Sequence, residues 1–354
     1  MAGGGTGGHI IPALAVAQEL RERGHKVTFI GTRHGLEAKL VPKAGFPIEW
    51  IEIGGLNRVD FTQRVRTLGQ LPLSTIRVRM MFSKLKPDAV FSMGGYVAGP
   101  VVLAAWLAGV PVVAMEPNAI PGMVNRRMAR FVSKALIHFP ETAAYFPPGT
   151  AEVVGIPVRE PFFHIEPRVP LTRGPFTLLI TGGSQGSRTL NNASRDSWPL
   201  FASSSRALSF RIIHQTGLEA YAGLEDEFRQ RGLQGEVTPF IDDMPEAFAD
   251  ADLILCRSGA STVAEVAASG KPAILVPFPF AADDHQRKNA EALANAGAAK
   301  VILDKDLNGK RLYDEVTALS ADLTALQQLS ANVRQFAHRD AARQAATALE
   351  HAGG

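Results

Sequence analysis

The chain has 354 residues, enough for two domains of ordinary size rather than one. Apolar residues make up 46% and charged residues 20%, which excludes a disordered chain, and the single cysteine, Cys256, excludes an internal disulfide framework. The net charge of +3 hides an asymmetry: residues 1–157 carry 17 Lys and Arg against 10 Asp and Glu, while the remainder carries 20 against 24, so the first half suits an anionic partner such as a membrane surface, a nucleic acid or a phosphorylated substrate.

The chain opens on Gly3-Gly4-Gly5-Thr6-Gly7-Gly8-His9, with no signal-peptide pattern. A helix follows in which Ile10, Leu14, Ala17 and Leu20 share a face and which Gly24 stops. Glycines let backbone amides approach an anion, and a helix N-terminus adds about half a positive charge. The same text also reads as a plain tight turn into a helix. His9 stands at the helix start, where a base, a hydrogen-bond donor or a cap are all open readings. A Rossmann sheet places its first strand at the centre, before such a loop, yet almost no residues precede this one. The first N-terminal strand is therefore expected to be missing, either because the start codon lies upstream or because an open slot of unpaired backbone groups remains.

Strands are predicted at Val27–Ile30, Ile48–Ile53, Ala89–Ser92, Val112–Met115, Ala135–His138 and Glu152–Val154, with helical patterns between several of them. Phe61–Pro87 is basic and amphipathic: Arg64, Arg66, Arg77, Arg79, Lys84 and Lys86 interleave with Leu68, Leu71, Leu73, Ile76, Val78, Met80, Met81 and Phe82, with no acid among them. Such a stretch lies on an anionic bilayer or forms a solvated helix face. Nucleic acid is not expected, because no helix-turn-helix or stacking-aromatic signature accompanies the charge. Tyr96–Met115 is 20 residues without a charge, but Gly99, Pro100 and Pro111 break it into a loop, a buried helix over Val101–Ala108 and a strand. Just past that strand comes Glu116-Pro117-Asn118, where open α/β sheets bind ligands; Asn118 reads as a sugar-hydroxyl partner or as a turn residue.

Proline-rich text over Gly155–Pro175 predicts a linker, so domains are expected at 1–157 and 158–335, with a C-terminal helix over 336–354 packing back on the first. Alternation restarts with strands at Thr177–Thr181, Arg211–Gln215, Glu236–Pro239, Leu253–Cys256, Ala273–Pro277 and Lys300–Leu303. Repeated strand–helix alternation means parallel sheets, here two Rossmann-like ones. A second glycine loop, Gly182-Gly183-Ser184-Gln185-Gly186-Ser187, directly follows a strand. In Arg257-Ser258-Gly259-Ala260-Ser261-Thr262 a strand ends and a helix starts, whose free N–H groups can hold a diphosphate. Glu265 in that helix reads as a ribose ligand or as the capping-box partner of Thr262. Asp283-Asp284-His285-Gln286 follows a further strand; Gln286 can read sugar hydroxyls, and the two acids suit a helix start rather than a metal.

Together these segments resemble the MurG family of bacterial N-acetylglucosaminyltransferases. The matching text is Gly3 to His9, Glu116 to Asn125, Gly182 to Asn191, Phe240 to Met244, Cys256 to Glu265, Val276 through Asn289 and Ala296 to Ala299, in family order and over nearly the whole chain. The resemblance implies a GT-B fold, two Rossmann-like domains with a cleft between them. It implies transfer of N-acetylglucosamine from UDP-N-acetylglucosamine to the 4-hydroxyl of an undecaprenyl-linked muramyl-pentapeptide, with inversion, at the cytoplasmic face of the plasma membrane. Donor contacts are implied at Arg159, Ser184, the backbone of Ile241, the helix start at Ala260 and Ser261, Glu265 and Gln286. Thr6, Gly7, Gly8 and Asn118 are implied to face the donor sugar and the acceptor from the other wall, and Phe61–Pro87 to lie on the membrane; His9 is the candidate for the base that the attacking hydroxyl needs, or orients the acceptor's diphosphate. No cofactor or metal is expected. Pro117 stands where the family often has glutamine, and Arg287 where some members carry a second glutamine. The other readings are a GT-B transferase with another acceptor, and a non-catalytic binder of nucleotide sugar.

Overall fold

The computed structural model describes residues 1–4, 7–54, 61–166, 175–203 and 209–354, with backbone only at 7 and 61–68. The chain forms two compact units, Met1–Val158 with His338–Gly354, and Arg159–Ala337.

The first unit runs α1 (Gly7–Glu22), β1 (Phe29–Gly31), α2 (Glu37–Lys43), β2 (Ile48–Trp50), α3 (Phe61–Leu85), β3 (Val90–Ser92), α4 (Gly95–Ala108), β4 (Val112–Glu116), α5 (Met123–Met128), β5 (Lys134–Ile137) and β6 (Ala151–Val153). All its strand pairs are parallel, in the groups β2-β1 and β3-β4-β5-β6. Among the described residues no full strand precedes α1, as the sequence leads one to expect, but the central slot is not open. Ala2 bridges in parallel to Ile30 on one side and Ser92 on the other. Its N–H donates to Phe91 O at 2.7 Å, Met93 N–H donates to Ala2 O at 2.8 Å, and Ile30 N–H donates to Met1 O at 2.9 Å. Two residues thus join the two groups and satisfy backbone groups that would otherwise be orphaned.

Helix α4 starts at Gly95, earlier than the expected Val101, and carries Pro100 within it. Proline's fixed φ is helical, and its missing N–H costs this helix one backbone hydrogen bond. The core of the unit gathers Ile30, Val78, Phe82, Val101, Val112 and Ile137. The C-terminal helix Ala341–Gly353 packs on α1, burying Ala345, Ala346 and Leu349, and Arg23 reaches Glu350 at 2.7 Å and Thr347 at 2.9 Å.

The second unit runs β7 (Phe176–Thr181), α6 (Arg188–Ala202), β8 (Phe210–Gln215), α7 (Leu218–Gln230), β9 (Gln234–Thr238), α8 (Met244–Asp250), β10 (Leu253–Cys256), α9 (Ala260–Ser269), β11 (Ala273–Leu275), α10 (His285–Asn295), β12 (Lys300–Val301), α11 (Gly309–Ala321) and α12 (Leu323–Val333). Its six parallel strands lie in the order β12-β11-β10-β7-β8-β9. Leu178, Ile180, Trp198, Ile212, Leu255 and Val276 fill the core. Cys256 is part of that interior, and burial pushes its thiol up to about 12, so it behaves as a small hydrophobe. In each unit the order reverses beside the first strand position. Open α/β sheets bind their ligands beyond the strand ends at such a reversal.

Candidate functional site

In the second unit the reversal is flanked by the turns after β7 and β10. The β7 turn is built for close backbone approach: Gly183 and Gly186 have φ of 86° and 73°, and a Cβ on Gly186 would fall 1.8 Å from Thr216 O. Gln215, at the end of β8, clamps the turn by donating to Gly183 O at 2.9 Å. Ser187 then caps α6. Ser184 stands exposed on the turn.

The β10 turn leads into α9 through Gly259, whose extended backbone leaves the N–H groups of Ala260, Ser261 and Thr262 outside the helical hydrogen-bond ladder. Val263 N–H is the first to bond within the helix, to Gly259 O at 2.9 Å. Arg257 ties the two turns together. Its guanidinium is buried and donates to Ser187 Oγ at 2.7 Å, Asp304 Oδ1 at 2.6 Å and Val276 O at 3.1 Å. The cap of α9 is Gly259, with no side-chain cap bond, so the capping-box reading of Glu265 does not apply. Glu265 instead faces Arg159 at 3.9 Å. Burial pushes its carboxyl up to about 7, against the pull of that guanidinium.

Two donor-side expectations are modified. Ile241 N–H already donates to Gln215 Oε1 at 2.9 Å, so of the two backbone groups expected to read a base this one is taken. Gln286 Oε1 accepts from Phe278 N–H at 3.0 Å, which leaves its amide nitrogen, near Gly259, as the group able to read a hydroxyl. The residues before it, Asp283 and Asp284, have φ of 52° and 53°, so the sharp turn into α10 carries backbone strain.

In the first unit the reversal lies between Ala2 and β3. Gly7 and Gly8 open α1, and Thr6 lies outside the described residues. A Cβ on Gly95 would meet His9 Nδ1 at 3.5 Å and Gly4 O at 3.0 Å, and one on Gly94 would meet the Asn125 amide at 3.0 Å. The loop after β3 is therefore pressed between His9 and α5. Glu116, at the end of β4, organises the next loop. Its Oε1 accepts from Asn118 N–H at 2.9 Å and Asn118 Nδ2 at 3.1 Å, and its Oε2 from Gly122 N–H at 3.1 Å and Asn125 Nδ2 at 2.9 Å. Burial raises the Glu116 pKa, while these bonds pull it down. Asn118 thus spends one amide hydrogen on Glu116.

The expected residues gather in two sets. Arg159, Ser184, Ile241, Ala260, Ser261, Glu265 and Gln286 lie in the second unit, and Gly7, Gly8, His9 and Asn118 in the first. Glu116, Gln215 and Arg257 were not singled out from sequence. The visible signal for Glu116 and Arg257 is a charge directly beside an apolar strand run; Gln215 carries none.

The glycosyltransferase family 28 N-terminal domain matches residues 1–137, and the family 28 C-terminal domain matches 177–345. A UDP-N-acetylglucosamine–N-acetylmuramyl-(pentapeptide) pyrophosphoryl-undecaprenol N-acetylglucosamine transferase from Solibacter usitatus is 58% identical over 99% of this chain and 94% of its own length. One of the same name from Nitrosococcus oceani is 44% identical over 99% of this chain and 98% of its own. The crystal structure of Acinetobacter baumannii MurG superposes with a TM-score of 0.81 at 34% identity, covering 98% of this chain and 97% of that one. This chain thus has the GT-B fold of two parallel-sheet α/β domains. The chain belongs to the MurG family of N-acetylglucosamine transferases.

Proposed function

We propose that this chain transfers N-acetylglucosamine from UDP-N-acetylglucosamine to the 4-hydroxyl of an undecaprenyl-pyrophosphoryl-muramyl-pentapeptide in cell-wall synthesis. The observation that carries the reading is the 58% identity to a relative of that name, end to end, with both family 28 domains matched. In the proposed reaction the acceptor oxygen attacks the anomeric carbon, the bond from that carbon to the UDP oxygen breaks, and the configuration inverts. The acceptor proton passes to His9. The leaving diphosphate gains charge, which the unbonded N–H groups at Ala260–Thr262 and the turn at Ser184 stabilise. Glu265 takes the ribose hydroxyls, Arg159 neutralises Glu265 and the nearby phosphate, and Gln286 reads the sugar. Thr6, Gly7, Gly8 and Asn118 take the acceptor.

The acceptor is lipid-bound, so the enzyme works at a membrane, and the cytoplasmic face is where a nucleotide sugar is at hand. Exposed Leu73, Ile76 and Met80 on α3, beside Arg77, Arg79 and Lys84, support contact with an anionic bilayer, and no described helix is long and apolar enough to cross one. The test is a transfer assay with UDP-N-acetylglucosamine and a short-chain muramyl-pentapeptide lipid. Formation of the disaccharide lipid, undiminished by EDTA, is expected. Absence of product sinks the reading, and loss of activity in EDTA sinks the role given to the α9 N-terminus.

A further inference from the structure

The acid Glu37 opens α2 with its side chain fully buried, and the reaction above makes no use of it. The chain closes on it from several sides. A Cβ on Gly4 would come within 2.6 Å of its carboxylate, one on Gly35 within 2.0 Å, and one on Gly31 within 2.7 Å of its stem. Glu37 Oε1 accepts two hydrogen bonds from Thr32, from the backbone N–H at 3.0 Å and from Oγ–H at 2.8 Å. Thr32 is itself buried, and its Oγ lies 3.1 Å from the Tyr96 hydroxyl.

The direction of that last bond follows from proton counting. Thr32 Oγ–H donates to Glu37 Oε1, so the one hydroxyl proton of Thr32 is committed there. Tyr96 must then donate to Thr32 Oγ. A phenol has a single proton, and with it spent the Tyr96 oxygen offers only lone pairs to anything else. Burial raises the Tyr96 pKa and the Glu37 charge adds to it, against the Thr32 bond, so the proton stays in place. Tyr96 is the second residue of α4 and follows Gly95, the residue pressed against His9 and Gly4 O.

We propose that Glu37 and Thr32 are positioning residues that set the Tyr96 hydroxyl as a hydrogen-bond acceptor for a hydroxyl or amide N–H of the bound muramyl substrate. The proposal rests on the reading of the first unit as the acceptor side. It is tested by steady-state kinetics on Thr32→Val, Thr32→Ser, Tyr96→Phe and the double variant Thr32→Val/Tyr96→Phe, with melting curves to confirm folding. Thr32→Ser keeps the relay hydroxyl, and Thr32→Ala replaces Thr32→Val if the latter does not fold.

Thr32→Val and Tyr96→Phe should each raise the acceptor KM about tenfold, the scale of one lost hydrogen bond. The donor KM should stay put, and Thr32→Ser should resemble the parent. The double variant should be no worse than Tyr96→Phe alone, because no hydroxyl remains to orient. Additive losses in the double variant, or a Thr32→Ser as poor as Thr32→Val, overturn the relay. A coupled rise in the donor KM instead overturns the acceptor assignment, which is a failure of the proposed function and is read separately from the relay.

Discussion

Glu265 combines two demands that pull against each other. In the role proposed for it at the ribose the carboxyl acts ionised, yet burial pushes it up to about 7. The donor KM should therefore fall as pH rises from 6 to 8, and Glu265→Gln should flatten that profile and raise the KM about tenfold or more. The same shift bears on stability. The folded pKa lies above the unfolded value of 4.5, so the contribution of this group is fully present below 4.5 and is lost as pH rises toward 7. At pH 8, Glu265→Gln should melt at a higher temperature than the parent in the absence of nucleotide; a lower melting point contradicts the burial argument. His9 is tested by His9→Ala, for which turnover should drop by about a hundredfold or more while UDP binding measured by calorimetry is kept. Near-normal turnover removes His9 from the role of base. Glu265 was legible because its helix follows a strand and a Ser/Gly turn in unbroken sequence. Glu116 and Glu37 were not, because what makes them distinctive is burial among groups that only the fold assembles around them, such as the Gly4 turn above Glu37.

Helix α3 buries one face and leaves large apolar side chains open on the other. Ser74, Thr75, Val78 and Phe82 are buried, and Ser74 Oγ donates to Glu52 O, while Leu73, Ile76 and Met80 are 70%, 59% and 64% exposed. Large apolar side chains left this open, at helical spacing and interleaved with Arg77 and Arg79, suit an interface of acyl chains and anionic headgroups. Ile76→Glu with Met80→Glu should abolish sedimentation with vesicles of any lipid composition. Arg77→Glu with Arg79→Glu should weaken binding to anionic vesicles alone, at about 1 kcal/mol per residue removed and more for reversed charge. Transfer to a water-soluble acceptor should survive in both. Unchanged sedimentation would leave α3 a solvated face. The pattern of α3 was readable from its spacing; which hydrophobics the core would claim was not, since α4 decides that by packing on it.

At the scale of the whole molecule, two buried histidines make stability depend on acid. Burial, with repulsion from His338, pushes His138 down to about 3, and burial alone does the same to His214. Both ring nitrogens of His138 lack a hydrogen-bond partner, and its ring packs edge-on against Phe139 at 4.5 Å. Above the unfolded value of 6.5 neither state takes the proton, so stability is full; below it the unfolded chain binds the proton first, and stability falls as pH drops toward 3, by up to about 1.4 kcal/mol per pH unit for each histidine. Urea midpoints should decline from pH 7 to pH 5, and His138→Phe should make the decline shallower. A slope identical to that of the parent refutes the assignment for His138. The sequence by itself determined the two-fold alternation of strands and helices, the glycine turns at the strand ends and the family text they carry, because these are local: a strand, a turn and a helix start are written in consecutive residues. Tertiary structure alone decided that two residues, Met1 and Ala2, fill the slot between β1 and β3, that Gln215 claims the Ile241 N–H, and that Arg257 laces two turns 70 residues apart. Those outcomes depend on which hydrogen-bonding groups the packed sheet brings within 3 Å of each other, and neighbouring residues in the chain hold no record of that distance.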